Sequence, residues 1–149
     1  MMKKILLLFA LIAISCSKDG IEAPIIDPVI IETPKGECVN GMADGFPCSG
    51  YDLLARIELK DLNLSNTAAS NLSGNDSWGW TDTTTNKEYA LIGLNTGLSM
   101  VDISEPTAPV VLGFIPTETA NSDWRDVKVH NNYAYVVSEA ANHGMQIFD

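Results

Sequence analysis

Between residues 77 and 149, apolar and polar positions fall into short alternating runs broken by turn residues. This is the pattern of half-buried strands, not of helices. Residues 88–94 (Glu-Tyr-Ala-Leu-Ile-Gly-Leu) read as one strand, residues 95–97 as a turn and residues 98–103 as a second strand. Glu105-Pro106-Thr107-Ala108 makes the next turn, with proline pre-setting φ at its second position. A third strand covers residues 109–115, and its leading proline suits a sheet edge. After a loop at residues 119–123, a new unit begins with residues 124–129.

The pattern then returns. Trp80-Thr81-Asp82 and Tyr89-Ala90 are matched by Trp124-Arg125-Asp126 and Tyr133-Ala134, each position lying 44 residues on. Gly97 with Val101-Asp102 is matched by Gly144 with Phe148-Asp149 at an offset of 47, the extra residues falling around residues 140–143. Each period holds four short strands, the Trp-x-Asp segment being the first. Four strands at this period predict an all-β fold of β-propeller-type repeats, with a parallel solenoid as the alternative. Residues 77–149 hold about one and a half such blades, whereas a propeller closes with roughly four to eight. The chain is therefore read as the N-terminal part of a longer protein, with a short form completed by oligomerisation as the alternative.

Upstream the patterning changes. Lys3 and Lys4 precede ten consecutive apolar residues, 5–14. Ten residues are too few for a membrane span of about 20, so residues 1–15 read as a secretory leader. Ala13-Ile14-Ser15-Cys16 resembles the bacterial lipobox, although Ala13 stands where leucine is commoner. The alternative is an ordinary leader with a chance cysteine. The lipobox resemblance implies cleavage before Cys16, lipidation of Cys16 and attachment to a membrane through the acyl chains. By resemblance to known lipoprotein sorting, Ser17 after the cysteine implies the outer membrane or cell surface over inner-membrane retention.

Residues 16–37 contain Pro24, Pro28 and Pro34 and read as an extended tether. Ile25, Ile26, Val29, Ile30 and Ile31 are β-branched, and an added edge strand is the second reading of this stretch. Residues 38–76 form a lead-in that opens with Cys38 and Cys48. An exported chain meets an oxidising compartment, so this pair is expected to form a disulfide around Gly41, Gly45 and Pro47. A metal site is the weaker alternative, because neither a Cys-x-x-Cys spacing nor a nearby histidine is present.

Charge narrows the partners. With 9 Lys and Arg against 19 Asp and Glu, the net charge is −10. Such a chain lacks the clustered cations that nucleic-acid binding needs. Asp82 and Asp126 share a place in the linear repeat. They either hold blade to blade or converge on a cation such as Ca²⁺, which wants several oxygen ligands. Trp80 and Trp124 are expected between adjacent blades, while Trp78 is freer to stack on a ligand. Residues 138–144 (Ser-Glu-Ala-Ala-Asn-His-Gly) are the most polar constellation, and Glu139 and His143 are its candidate binding groups. His130 is expected to be exposed. The sequence contains neither a Gly-x-Ser-x-Gly elbow nor a His-Glu-x-x-His pair.

Several segments together resemble a known group. They are residues 77–82 (Ser-Trp-Gly-Trp-Thr-Asp), residues 88–94, and Val101-Asp102-Ile103-Ser104 with Pro106 and Pro109. They continue with residues 124–129 (Trp-Arg-Asp-Val-Lys-Val), Ser138-Glu139-Ala140 and His143-Gly144-Met145-Gln146, and include Asn40-Gly41-Met42-Ala43 upstream. The chain from about residue 38 onward resembles the choice-of-anchor B proteins, which carry LVIVD repeats. That resemblance implies a secreted or surface-anchored bacterial β-propeller, here with lipid as the anchor, and brings no established activity. Three functions stay open. One is an anchored module that binds a protein or glycan. A second is an extracytoplasmic hydrolase whose site further blades complete. The third is a calcium-stabilised structural protein of the envelope.

Overall fold

The computed structural model describes residues 28–30, 36–65 and 71–149. The leader, Cys16 and most of the tether lie outside the described residues. In chain order the elements are β1 (Val29–Ile30), β2 (Met42–Ala43), β3 (Phe46–Pro47), the short helix α1 (Leu59–Leu62) and β4 (Gly74–Asp82). They continue with β5 (Lys87–Leu94), β6 (Gly97–Asp102), β7 (Val110–Pro116), β8 (Arg125–His130), β9 (Tyr133–Ser138) and β10 (Met145–Phe148). The all-β expectation holds, with propeller-type antiparallel sheets and, among the described residues, a single turn of helix.

β4 to β7 form an antiparallel meander, as the four-strand reading requires, and β1 adds a fifth strand in the order β1-β7-β6-β5-β4. β8, β9 and β10 make a second antiparallel sheet. Val29 pairs with Val111 and Ile30 with Val110. The proline-containing stretch is thus not a tether throughout, because two of its β-branched residues extend the sheet. β1 lies against the strand that Pro109 leads, and it covers what would otherwise be an open edge.

Strand alternation sends side chains to two separate cores. Ala90, Ile92, Leu94, Val101 and Val111 face the lead-in residues Ile57, Leu62 and Leu64. The opposite face presents Leu91 and Leu98 to Val127, Ala134 and Val136 of the second sheet. Each fully buried aliphatic side chain contributes about 1.5–3 kcal/mol relative to exposure. Gly93 lets the sheets close up, since a Cβ there would lie 2.9 Å from the Arg125 carbonyl oxygen. Gly97 is needed at the β5–β6 turn, where a Cβ would lie 2.2 Å from the Ile115 carbonyl oxygen.

The lead-in is stapled as expected. Cys38 and Cys48 are disulfide-bonded with Cα atoms 5.8 Å apart. Between them β2 and β3 pair through Asp44-Gly45, both at positive φ (46° and 83°), the geometry of a tight hairpin turn. Asp44 is therefore a turn residue. The Cys38 N–H donates to Asp52 Oδ1 at 2.9 Å, and Gly36 and Leu53 exchange backbone hydrogen bonds.

The register revises the repeat. Trp80 pairs with Tyr89 in the β4–β5 ladder, whereas Tyr133 pairs with His130 in the β8–β9 ladder. If Tyr89 and Tyr133 are equivalent, so are Trp80 and His130. Likewise Trp78, opposite Leu91, matches Lys128, opposite Tyr135. The first hairpin is longer, so the inner strands β4 and β8 correspond at an offset of 50, not 44. Trp124 precedes β8 and is 62% exposed, contrary to the expected place between blades. Trp80 does pack against the core between the sheets. The 44-residue offset of β5 to β9 and the 47-residue offset of β6 to β10 both stand.

Candidate functional site

The sequence candidates do not assemble into one site. Asp82 ends β4 and accepts hydrogen bonds from Thr84 N (2.8 Å), Thr84 Oγ1 (2.6 Å) and Thr85 Oγ1 (2.6 Å). These bonds, the Thr84 and Thr85 hydroxyls foremost, draw its carboxyl pKa down to about 2. Asp126 stands exposed on β8. Asn75 and Asp76 touch Arg125 and Val127, so Asp126 lies near the other end of β4 from Asp82. Six residues of strand separate Asp76 from Asp82, roughly 20 Å. The two carboxylates therefore do not converge on a cation. Among the described residues no group of three or more His, Cys, Asp or Glu side chains is placed to hold a metal. Asp102 is a strand terminator held by Lys87 Nζ (2.8 Å) and Ser104 N (3.0 Å). Lys87, then Ser104, brings its pKa down to about 2.

Trp78 is less free than its sequence suggested. The Lys128 ammonium sits 4.6 Å from its ring centroid, a cation–π contact. Glu139 and His143 part company. Glu139 is exposed, and its backbone N–H donates to the Trp124 carbonyl at 3.2 Å. His143 turns inward and is only 7% exposed.

What His143 meets is the main polar feature of the molecule, which sequence reasoning missed. Arg125 enters from β8 and is 1% exposed. Its Nε donates to the Leu94 carbonyl at 2.9 Å and its second terminal nitrogen to Thr117 Oγ1 at 2.7 Å. The other terminal nitrogen faces His143 Nε2 at 3.4 Å. An arginine only donates, so Nε2 must accept, and the imidazole proton sits on Nδ1, 2.9 Å from Thr119 Oγ1. Burial, then the neighbouring guanidinium, lowers the His143 pKa, with Glu118 and Gln146 opposing. Burial also lowers the Arg125 pKa. Arg125 thus locks the second sheet to the end of the first, and a neutral His143 completes the lock. Strand parity could have found it, because Arg125 shares its face with Val127 and Val129.

A second lock involves Asp76. Its Oδ2 accepts from Val127 N at 3.1 Å and from Lys128 Nζ at 2.6 Å. The Lys128 hydrogen bond, with those from Val127 and Ser77, lowers its pKa. Asp76 reaches from β4 of the first sheet to the free edge of β8 in the second.

One cavity of about 210 Å³ opens between the sheets beside β10. Its walls include Trp80 stacked on Tyr89 (ring centroids 5.2 Å apart), with Leu98, Met100, Leu112 and Phe148. Its lining is mostly apolar, with Asn132 and Asp149 as the polar residues beside the Tyr89 phenol.

Comparison with known proteins accounts for the strand pattern. No curated protein and no solved structure matches this chain. The LVIVD repeat matches twice, over residues 86–117 and 122–149. The first match covers β5 to β7 and the second covers β8 to β10, so the β-rich part of this chain carries two LVIVD repeats of the propeller type.

Proposed function

We propose that the protein is a lipid-anchored envelope protein that displays a propeller-type repeat module for binding, not for catalysis. One observation carries the second half of this reading. The side chains best suited to catalysis are already engaged as scaffold: His143 and Arg125 lock sheet to sheet, and Asp82 and Asp102 hold turns. A general base must be free to reach a substrate proton, and buried His143 faces Arg125 and Thr119 instead. The Lys3-Lys4 start, the apolar run and Cys16 after a small residue support the anchor. Several acyl chains on one cysteine would hold the protein to a membrane without a transmembrane helix. The bound partner would be a protein or glycan of the cell exterior, in keeping with a module held at the envelope.

Fractionation of cells expressing the Cys16→Ala variant tests the anchor. The protein is expected to leave the membrane fraction; retention there would remove the lipid anchor from the reading. Turnover of ester, glycoside or peptide substrates that is lost on His143→Gln, with the melting temperature unchanged, would replace the binding reading with a hydrolase.

A further inference from the structure

The cavity between the sheets is shaped by the backbone of β7. Met100 pairs with Gly113 and Val101 with Val111, so Leu112 is an extra residue bulged out of the ladder. Gly113 therefore stands opposite Met100 without a side chain, and a Cβ there would lie 3.2 Å from the terminal methyl of Met100. A side chain at that place would push Met100 into the open volume. Bulge and glycine together leave a cavity of about 210 Å³ beside the core between the sheets. Protein interiors seldom keep a void of this size. A cavity of about 150 Å³ already accepts benzene, so this one has room for a single substituted aromatic ring.

The walls suit that shape. Trp80 and Tyr89 stack along one side, with ring centroids 5.2 Å apart. Phe148 and the soft thioether of Met100 also line the cavity, and both are good partners for an aromatic ring. The depth is apolar, since Leu91, Leu98 and Ala134 are buried. The polar groups stand at the mouth, since Asn132 and Asp149 are exposed. No lysine, arginine or histidine lines the cavity. The mouth thus offers a carboxylate and an amide with no cation to balance them, on a chain of net charge −10. Such a mouth complements an ammonium group and repels a carboxylate.

We propose that this cavity binds a small arylalkylamine: one aromatic ring carrying a short chain that ends in an ammonium group. The ring enters between the Trp80–Tyr89 stack and Leu112, and the ammonium reaches Asp149 and Asn132 at the mouth. The ring is held by burial and by aromatic and sulfur contacts, which supply the affinity. The carboxylate supplies the choice of head group. Such a ligand is separate from the protein or glycan partner of the envelope module, and its binding does not depend on the lipid anchor.

Titration calorimetry of the 149-residue protein with phenethylamine, toluene and hydrocinnamate tests both the site and the head group. Phenethylamine is expected to bind at one site with a Kd of about 1 mM. Toluene is expected to bind about three- to fivefold more weakly, the worth of a partly exposed ion pair, and hydrocinnamate more weakly still. Asp149→Asn should bring phenethylamine down to the affinity of toluene. Asp44→Asn removes the same charge in the lead-in turn and should change nothing. Leu112 is 38% exposed, so Leu112→Trp fills the cavity from its rim and should abolish binding with the melting temperature kept. Gly113→Ala, which turns the Met100 methyl inward, should weaken it. On titration the Met100 methyl resonance should shift while that of Met42 stays in place. Binding that survives both variants, or that shifts Met42 and not Met100, would overturn the site. So would the absence of binding by all three compounds. An amine bound no more tightly than toluene or hydrocinnamate would overturn the ligand class.

Discussion

Leu98 and Met145 hold the same place in consecutive repeats, yet Leu98 is 2% exposed and Met145 is 58% exposed. The first sheet is covered on both faces, by the lead-in behind and by the second sheet in front. Among the described residues, the second sheet is covered on one. Repeat sequence therefore sets strand, turn and register, while burial is set by whichever neighbour is present. In a stack of this kind stability is a sum of repeat and interface contributions, so matched substitutions should differ where the interfaces differ.

The sharpest comparison is Leu98→Ala against Met145→Ala. The first should cost about 2–5 kcal/mol, as for a buried leucine leaving a cavity. The second should stay within about 0.5 kcal/mol, as for an exposed site. Urea denaturation of both variants measures this, and equal losses would mean that the second sheet is covered in solution. Next comes Arg125 against Asn75, which lies where the β4 register shifts and bonds the Arg125 carbonyl. Arg125→Ala strips donors from Leu94, Thr117 and His143 and should cost about 2–4 kcal/mol. Arg125→Lys should recover little of it, because one ammonium cannot span three separated acceptors. Asn75→Ala gives up one bond to the Arg125 carbonyl, worth about 1 kcal/mol. A full rescue by lysine would show that charge, not the guanidinium fork, holds the sheets together.

Reduction of Cys38–Cys48 acts on the cover of the first sheet. In the chain-entropy account the loop it closes is worth about 2.8 kcal/mol to that segment. Amide exchange should accelerate in residues 36–57 and stay slow in β8 to β10; acceleration in the second sheet would mean that the two regions are coupled. The gentlest probe is acid. The folded pKa of His143 lies below its unfolded value of about 6.5. Between the two values the unfolded chain holds a proton that the folded chain lacks. Stability is therefore full above about pH 6.5 and falls as the pH drops, by at most about 1.4 kcal/mol per pH unit. Asp82 and Asp102, each with a pKa of about 2, add a separate loss below about pH 4. Chemical denaturation across pH should show both limbs, and His143→Gln should flatten the upper one alone. An unaltered upper limb would dissociate the lock from His143.

Much of this was legible in the chain. Alternation placed β5, β6, β7 and β8 within a residue or two, the disulfide followed from two thiols in a chain read as exported, and the β-branched residues 29 and 30 carried the edge-strand reading. What the sequence hid has a common cause. Trp80 and Trp124 look equivalent at 44 residues, but hairpin length decides register, and the β8–β9 turn of Asn131-Asn132 is shorter than the β4–β5 loop. His143 looks like a loop histidine because its partners, Arg125 and Thr119, lie 18 and 24 residues away. The helix α1 is a single turn and carries no periodic signal. Asp76 gives no sign of its role, since a bond to a backbone N–H across 51 residues leaves no trace in spacing.

The pairing of β1 with β7 has a mechanical consequence. Tension applied at the N-terminus reaches the fold at the rim strand, through a ladder two residues wide among the described residues. Such a ladder peels open before the longer strands of the meander shear, and the load then passes to the Gly36–Leu53 bridge and the covalent clasp of Cys38 and Cys48. The two-residue strand is a fuse that gives way first, and the clasp behind it sets how far the chain can pay out before the blade itself is strained.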